Sequence, residues 1–553
     1  MGTAFIVLLV IAGAVFFAQR SFADKKIPTP LPAASDTPTA DDVPRQGGTL
    51  VEGDVGVPAT FNPLLASSQT ERDAAALMFD GLVRVDGSGT PTPDLAKSWQ
   101  VSEDGLTYTV TLRSGVTWHD GSPFTSQDVR FTIGLVQSPS FPGDPQLSRF
   151  WRPIVVGTPN DSTVVFHLMN PFSPFLNDLN IPILPKHILG GVTAEDLGVD
   201  PFNLFPVGTG PFKFVSYDKQ GQQLQLSAYD GYAGDRPHLD AITIKYYGDT
   251  DKLLEAVKKG DVQASGTLTD DQLLRAGSIP KSYSIYAPQL MSYTALFFNT
   301  RVSPFSNEVV RQALAMAIDP TPLIDGPLKS QAVAGSSPIP STSWAFSQQG
   351  PIFDPQKAAE LLDTAGWKYV ESDGVRENGE SRLSFQLLVN GDDPERVLMA
   401  QTIAQQLGGI HVLVDVKEAT SDDVNQALAA RQFSAAVFGG HFGNGDPDCL
   451  DVWSSTQSST GLNVTGVNDK DIDSALADAR ATTDVDKRRQ FYAQFQRAFV
   501  NQAPAVVLYY PRYLFVVSSA VHSVSPDALV DQSDRFQRIS SWYLAGETQT
   551  ATP

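Results

Sequence analysis

The sequence predicts a multi-lobed protein of the α/β or α+β class, and three observations predict it. At 553 residues, with 42% hydrophobic and 18% charged side chains, the chain is longer than the roughly 250–300 residues that one core organises, so two or more lobes are expected. Stretches in which apolar residues alternate are interspersed along the chain with stretches of helical period. No segment repeats.

The elements follow in order. A strand around Trp99 and Val101 leads through the turn SEDG (102–105) into LTYTVTLRSGVTW (106–118), where Leu106, Tyr108, Val110 and Leu112 alternate with polar residues. TVVFHL (163–168), QLQLSAY (223–229) and AITIKYY (241–247) read as further strands. In SNEVVRQALAMAIDP (306–320), Val309, Val310, Ala313, Leu314 and Ala317 share one helix face, and Pro320 stands past its end. DPQKAAELLDTAGW (354–367) has Asp354 as N-cap, Pro355 in the first turn and Gly366 as stop. The helix in TTDVDKRRQFYAQFQRAF is expected to start with a Thr483/Asp486 capping box and to bury Phe491, Phe495 and Phe499, four residues apart.

Two N-terminal segments precede these elements. GTAFIVLLVIAGAVFFA (2–18) is an uncharged apolar run of about the length that crosses a bilayer. Its basic residues Arg20, Lys25 and Lys26 follow the run, the reverse of a secretory signal, so a short basic leader is expected upstream of Met1. Residues 1–20 are therefore taken as a membrane anchor or a signal segment, cleaved, if at all, after Ala23. Residues 21–46, rich in Pro and Thr, bury nothing and read as a linker. The 20 residues from 27 to 46 reach roughly 60 Å when extended at about 3.1 Å each. The expected arrangement is an extracytoplasmic body, held at the membrane by a helix or exported by a cleaved signal.

Composition narrows the partners and the chemistry. Forty basic against 61 acidic residues give a net charge of -21, which repels nucleic acid and anionic membrane surfaces. Cys449 is the one cysteine, so no intrachain disulfide forms and no lipid-anchor cysteine follows the apolar run. A P-loop, a GxSxG elbow and a strand-linked GxGxxG are absent. The SxxK match at Ser216–Lys219 lacks its companion motifs. The seven histidines are too far apart for a zinc helix, and GDPDCLD (445–451) puts Asp451 where a calcium loop needs glycine. No cofactor and no metal is expected.

One stretch looks catalytic. WHDGSPFTSQD (118–128) holds His119, Asp120 and Ser122 within four positions. Adjacent residues in a tight turn seldom reach triad geometry. Asp120-Gly121 is a turn pair, and Thr125 with Asp128 forms a capping box for the helix that continues through Val129, Phe131, Thr132 and Leu135. The stretch is read as scaffold.

The longer segment GLTYTVTLRSGVTWHDGSPFTSQDVRFTI resembles the signature of family 5 extracellular solute-binding proteins, the oligopeptide, dipeptide and nickel receptors of ABC importers. Further matches keep family order: GGTLVEG with TFNPLLAS (47–67), ALMFDGLVRVDGSGTPTPDLAKSW (76–99), VGTGPFKFVSYD (207–218), AYDGYAGDRPHLDAITIKYY (228–247), PFSNEVVRQALAMAID (304–319) and APAVVLYYPR (503–512). The resemblance implies a two-lobed α/β fold of the periplasmic-binding-protein type (class II, cluster C) with an extra subdomain in the first lobe. It places lobe I at 47–65, 206–297 and 505–545, the inserted subdomain at 66–205 and lobe II at 298–504. It implies a monomeric receptor and no enzyme, with a small solute, a peptide foremost, as ligand and the transmembrane permease subunits of an ABC importer as partner. The alternatives are a carrier of a chelated metal or another non-peptide solute, and a secreted peptide hydrolase.

The resemblance also points to candidate binding residues. In dipeptide receptors a second-lobe loop carries an aspartate for the ligand's ammonium, just before a GDPD-like turn. The alignment puts Gly443 there. Losing a buried carboxylate leaves an ammonium unpaired, at a cost of roughly 3 to 5 kcal/mol. Gly440, His441 and Phe442 are expected as wall, Asn444 as hydrogen-bonding partner and Asp446 as a substitute for the missing charge. Asn62, Leu64 and Leu65 are expected on the opposite wall, with Trp344 and Phe346 as roof.

Overall fold

The computed structural model describes residues 44–347, 350–526 and 528–545. The expected membrane segment and nearly all of the linker lie outside these residues. Among the described residues no helix is long and apolar enough to cross a membrane.

Two large sheets dominate. The first has seven strands in the order Tyr283–Tyr286, Phe515–Ser518, Ala264–Ser265, Thr49–Val55, Ala241–Tyr247, Gln223–Ala228 and Phe212–Asp218. Thr49–Val55 runs parallel to its two neighbours, and the other pairings are antiparallel. The alternation seen in AITIKYY is realised, with Ile242, Ile244 and Tyr246 buried. The second sheet orders Ala332–Ala334, Ala505–Pro511, Ser292–Phe298, Ala435–His441, Ser384–Asn390 and Leu413–Ala419. Its central strands are buried almost throughout, because separate apolar clusters cover its two faces. A smaller antiparallel sheet of Ala96–Val101, Thr107–Leu112, Thr163–His167 and Val155–Asn160 lies within the 66–205 stretch and shares one core with the seven-stranded sheet.

Strand pairing shifts the expected lobe boundaries. Ser292–Phe298 and Ala505–Pro511, assigned from resemblance to lobe I apart from Phe298, pair with each other in the second sheet, and Ser292–Phe298 also pairs with Ala435–His441. The chain thus crosses between the large sheets twice, at 287–291 and 512–514. The crossings are tied side by side: Tyr513 N–H donates to the Pro288 carbonyl (2.9 Å), and Arg512 donates to the Ala287 carbonyl (2.8 Å). Two adjacent short crossings are what a hinge between bodies requires.

Helix ends follow local chemistry. Asp354 accepts from the Lys357 amide (2.8 Å), and Gly366 takes the left-handed conformation (φ 87°) past the helix Pro355–Thr364. The helix Val485–Gln502 starts one residue away from the expected box. Asp484 is the N-cap, accepting from the amides of Asp486 and Lys487 (3.0 and 3.1 Å), since its short carboxylate spans two orphan amides at once. Phe495 and Phe499 are buried and Phe491 is half-buried against the same core.

Candidate functional site

The catalytic-looking stretch is scaffold in the structure. His119 is enclosed, with Nε2 3.0 Å from the Gly210 carbonyl and Nδ1 accepting the Gly208 N–H at 3.1 Å. Burial lowers its pKa to about 4, so the ring is neutral. Asp120 accepts the Ser122 amide (2.9 Å) and pairs with His187 (2.6 Å). Thr125 and Asp128 form the expected capping box. Both imidazole nitrogens of His119 are held by backbone, so His119 is not placed as the base of a triad with Ser122.

The loop after Ala435–His441 is a series of asparagine and aspartate turns. Asn444, Asp446 and Asp448 each accept, through a side-chain oxygen, the amide two residues on (3.1, 3.0 and 3.3 Å). Gly445 takes φ 76° to close the turn. The remaining acidic character is spent inside the protein. Asp446 is buried and bound to Arg488 at 2.6 Å, and Arg488 also donates to the Tyr492 hydroxyl (2.9 Å) and lies under the Trp344 ring. Asp448 meets Arg480 at 2.7 Å, and burial raises the Asp448 pKa to about 6. Asp446 is therefore not the spare charge expected of it, because its partner is already in place.

Asn444 bridges elements. Its amide donates to Asp178 (2.9 Å) in the inserted segment, and Asn177 donates to the carbonyls of Asn444 and Gly89 (both 2.9 Å). Gly89 and Gly445 approach so closely that a Cβ on Gly89 would lie 2.0 Å from the Gly445 carbonyl. Trp344 N–H donates to the Ser88 carbonyl (3.1 Å) across the same seam. Desolvation pushes the Asp178 pKa up to about 8, and its Oδ2 is buried without a partner.

Other expected wall residues are core. Asn62 is fully buried, donating to Asn203 (3.0 Å) and accepting from the Leu64 amide (3.1 Å), which leaves no face for a ligand. Leu64 and Phe442 are buried, and Leu65 and Phe346 are half-buried against the cores. Gly440 packs on the Tyr293 ring, which a Cβ would strike at 2.4 Å. Of the candidates, His441 is exposed at the end of its strand.

His441 shows what it faces. Partial loss of hydration against the neighbouring protein lowers its pKa although the residue stays accessible, opposed by the carboxylate of Asp531 and assisted by the guanidinium of Arg72. Arg72 lies on the helix Gln69–Met78, whose start is fixed by a Ser68/Glu71 capping box. Asp531 caps the turn that follows it. The two sit 3.8 Å apart, and Gln69 links them by accepting from Arg72 and donating to Ser533 (both 2.8 Å). Beside this wall a cavity of about 210 Å³ runs between the inserted segment and residues 530–540, with Gly443 closing it from the second sheet's loop. Arg72 and Asp531 were invisible in the sequence: they are 459 positions apart by number, and neither lies in a motif.

Comparison with known proteins fits this architecture. The family model for bacterial extracellular solute-binding proteins, family 5 (middle region), matches residues 90–461. The chain belongs to family 5 of the bacterial extracellular solute-binding proteins. The oligopeptide-binding protein AppA of Bacillus subtilis is 29% identical to this solute-binding protein over 515 residues, covering 91% of this chain and 92% of AppA. Its crystal structure with a nonapeptide superposes with a TM-score of 0.67 over 91% of this chain and all of that one, at 27% identity. NikZ from Campylobacter jejuni, crystallised with Ni(L-His), gives a TM-score of 0.68 at 29% identity, covering 90% of this chain and 99% of that one. The fold is the two-lobed α/β type of these receptors, and this family member is extracytoplasmic.

Proposed function

We propose that this chain captures a peptide or similar small solute between its lobes and delivers it to the membrane subunits of an ABC importer. The observation that carries this reading is the match to AppA along nearly the whole chain, since that relative holds a nonapeptide. The strand pairing supports lobe I as 47–65, 206–291 and 512–545, the insertion as 66–205 and lobe II as 292–511. We assign the ligand contacts to His441 and Gly443 from lobe II and to Arg72 and Asp531 from lobe I, a reading supported by the charges around His441 and by the cavity that Gly443 and Asp531 line. An N-terminal helix or an exported, cleaved form accounts for the apolar segment and linker, and a tether keeps receptor and permease at high effective concentration. We read the chain as a receptor without catalysis of its own, a reading supported by its solute-binding relatives and by the backbone bonds that occupy both nitrogens of His119.

A second reading, carriage of a chelated metal, is favoured by the likeness to NikZ and by the glycine at position 443. Mass spectrometry of small molecules released from the purified, denatured protein decides between them. Peptides are expected; a metal chelate promotes the second reading. Cleavage of a peptide library that disappears in Ser122→Ala overturns both in favour of a hydrolase.

A further inference from the structure

The cavity closed by Gly443 is lined by four aspartates and one arginine, and the way these charges are used points to the chemistry of its occupant. Arg84 neutralises two of the four, reaching Asp80 at 3.0 Å and Asp94 at 2.8 Å, and also meets the Tyr232 hydroxyl. Asp534 is spent on backbone, accepting the amides of Val530 and Asp531 at 3.1 and 2.7 Å. Asp531 is more accessible than either of Arg84's partners, at 36% against 4% for Asp80 and 13% for Asp94. Its Oδ1 caps the Ser533 amide at 2.9 Å, while Oδ2 stands 3.8 Å from Arg72 Nε, beyond hydrogen-bonding distance. That contact is between half-exposed side chains, 41% and 36% accessible, so water and ions weaken it and a better-placed cation displaces it.

Opposite this carboxylate the second lobe offers the His441 imidazole and, at Gly443, no side chain. A Cβ built on Gly443 meets its nearest neighbours, atoms of the His441 ring, at 3.9 to 4.0 Å, so the space around it is open. A cationic group entering between the walls meets the half-exposed carboxylate of Asp531, and it comes from lobe I.

We infer that Asp531 is the specificity-determining residue for a ligand with a free ammonium end, reading that charge from the lobe I side while Gly443 leaves room for it. This rests on the peptide-receptor reading and adds to it the end of the peptide that is recognised and the wall that recognises it. The ammonium takes the place of Arg72 at Asp531 Oδ2, while Oδ1 stays on the Ser533 amide. N-acetylation removes the charge and leaves the Asp531 carboxylate with its weak partner only, so a blocked peptide binds less well.

The probe is a randomised pentapeptide pool, half of it N-acetylated, offered to the full-length purified protein, with captured peptides quantified by mass spectrometry. The wild type is expected to enrich free-amine over acetylated peptides by about tenfold, a ratio that falls as NaCl is raised from about 0.05 to 1 M. Asp531→Asn keeps the Oδ1 cap and is expected to bring the ratio close to one. Gly443→Asp together with Asp531→Asn places a carboxylate on the other wall and is expected to restore the preference. An Asp531→Asn protein that keeps the wild-type ratio, or a wild-type ratio indifferent to salt, overturns the assignment while leaving the peptide receptor standing. A wild type that captures neither form overturns the peptide-receptor reading itself and the inference with it.

Discussion

A buried arginine stands behind each wall of the cleft, and the two are balanced differently. Behind the lobe II loop, Arg488 faces one carboxylate, Asp446, at 2.6 Å, and its other donors go to the Tyr492 hydroxyl and the Ala479 carbonyl. Behind the lobe I wall, Arg535 is clamped by Asp73 through two bonds (2.9 and 2.8 Å), by Glu52 at 3.0 Å and more distantly by Asp54 at 4.0 Å. All four side chains are essentially inaccessible, and neither oxygen of Asp54 has a hydrogen-bond partner. One site is an ion pair with its hydrogen bonds made. The other has more buried carboxylate than cation, so it holds protons that water would have removed. Burial, with the other carboxylates adding to it, raises the Asp54 pKa, and burial raises that of Glu52 to about 7.

Removing the cations is expected to have the largest effect. Arg535→Met strands several carboxylates inside lobe I, and Arg488→Met strands Asp446 alone. Breaking a buried pair by deleting one partner costs about 3 to 5 kcal/mol. The upper end is expected at Arg535 and the lower end at Arg488, measured by urea denaturation at pH 7. Equal losses would show that the excess carboxylates of lobe I contribute nothing to the difference.

A smaller effect separates the sites by pH. A carboxyl whose folded pKa is raised from 4.5 to about 7 favours folding fully below the unfolded value. That contribution is lost as pH climbs through about 7, amounting to roughly 3 kcal/mol by linkage. Scanning calorimetry from pH 5 to 8.5 is expected to show a falling melting temperature in the wild type and a shallower fall in Glu52→Gln, which keeps an oxygen for Arg535. Parallel slopes in the two proteins would place the proton elsewhere. His119 acts in the opposite direction on the acid side: its folded pKa lies below 6.5, near 4, so its contribution is lost as pH falls through that window.

How much of this was legible in the sequence depended on range. Asp354, Thr125 with Asp128, and the alternation of AITIKYY gave correct elements, because a cap or a strand face is decided within a few residues. The scaffold role of WHDGS was readable for the same reason. The sheet that claims Ser292–Phe298 and Ala505–Pro511 was not, since their apolar runs fit either lobe and only long-range pairing decides. Thr483 lost to Asp484 by one position because both are good caps. At the site, GDPD advertised free acidity, but Arg480 and Arg488, roughly 30 to 40 residues on, consume it. Asn62 looked like a wall residue, yet its partner Asn203 is 141 residues away. Arg72 and Asp531 carry letters common on any surface, so nothing local marked them.

The smallest expected effect falls on the charges that face the cleft. Arg72 and Asp531 are half-exposed and 3.8 Å apart, a geometry in which solvent screening and side-chain entropy absorb most of the Coulomb attraction. Arg72→Ala is therefore expected to change stability by about 0.5 kcal/mol or less in the same urea experiment, an order of magnitude below Arg535→Met. The contrast has a physical basis: buried arginines fix where the walls stand, whereas the pair at the surface of lobe I exchanges partners at little cost. A loss of about 2 kcal/mol or more at Arg72 would mean that its bonds to Gln69 and the Ser67 carbonyl hold the start of the Gln69–Met78 helix. Lobe I would then present a fixed guanidinium to any ligand, in place of a carboxylate that a ligand cation can reach.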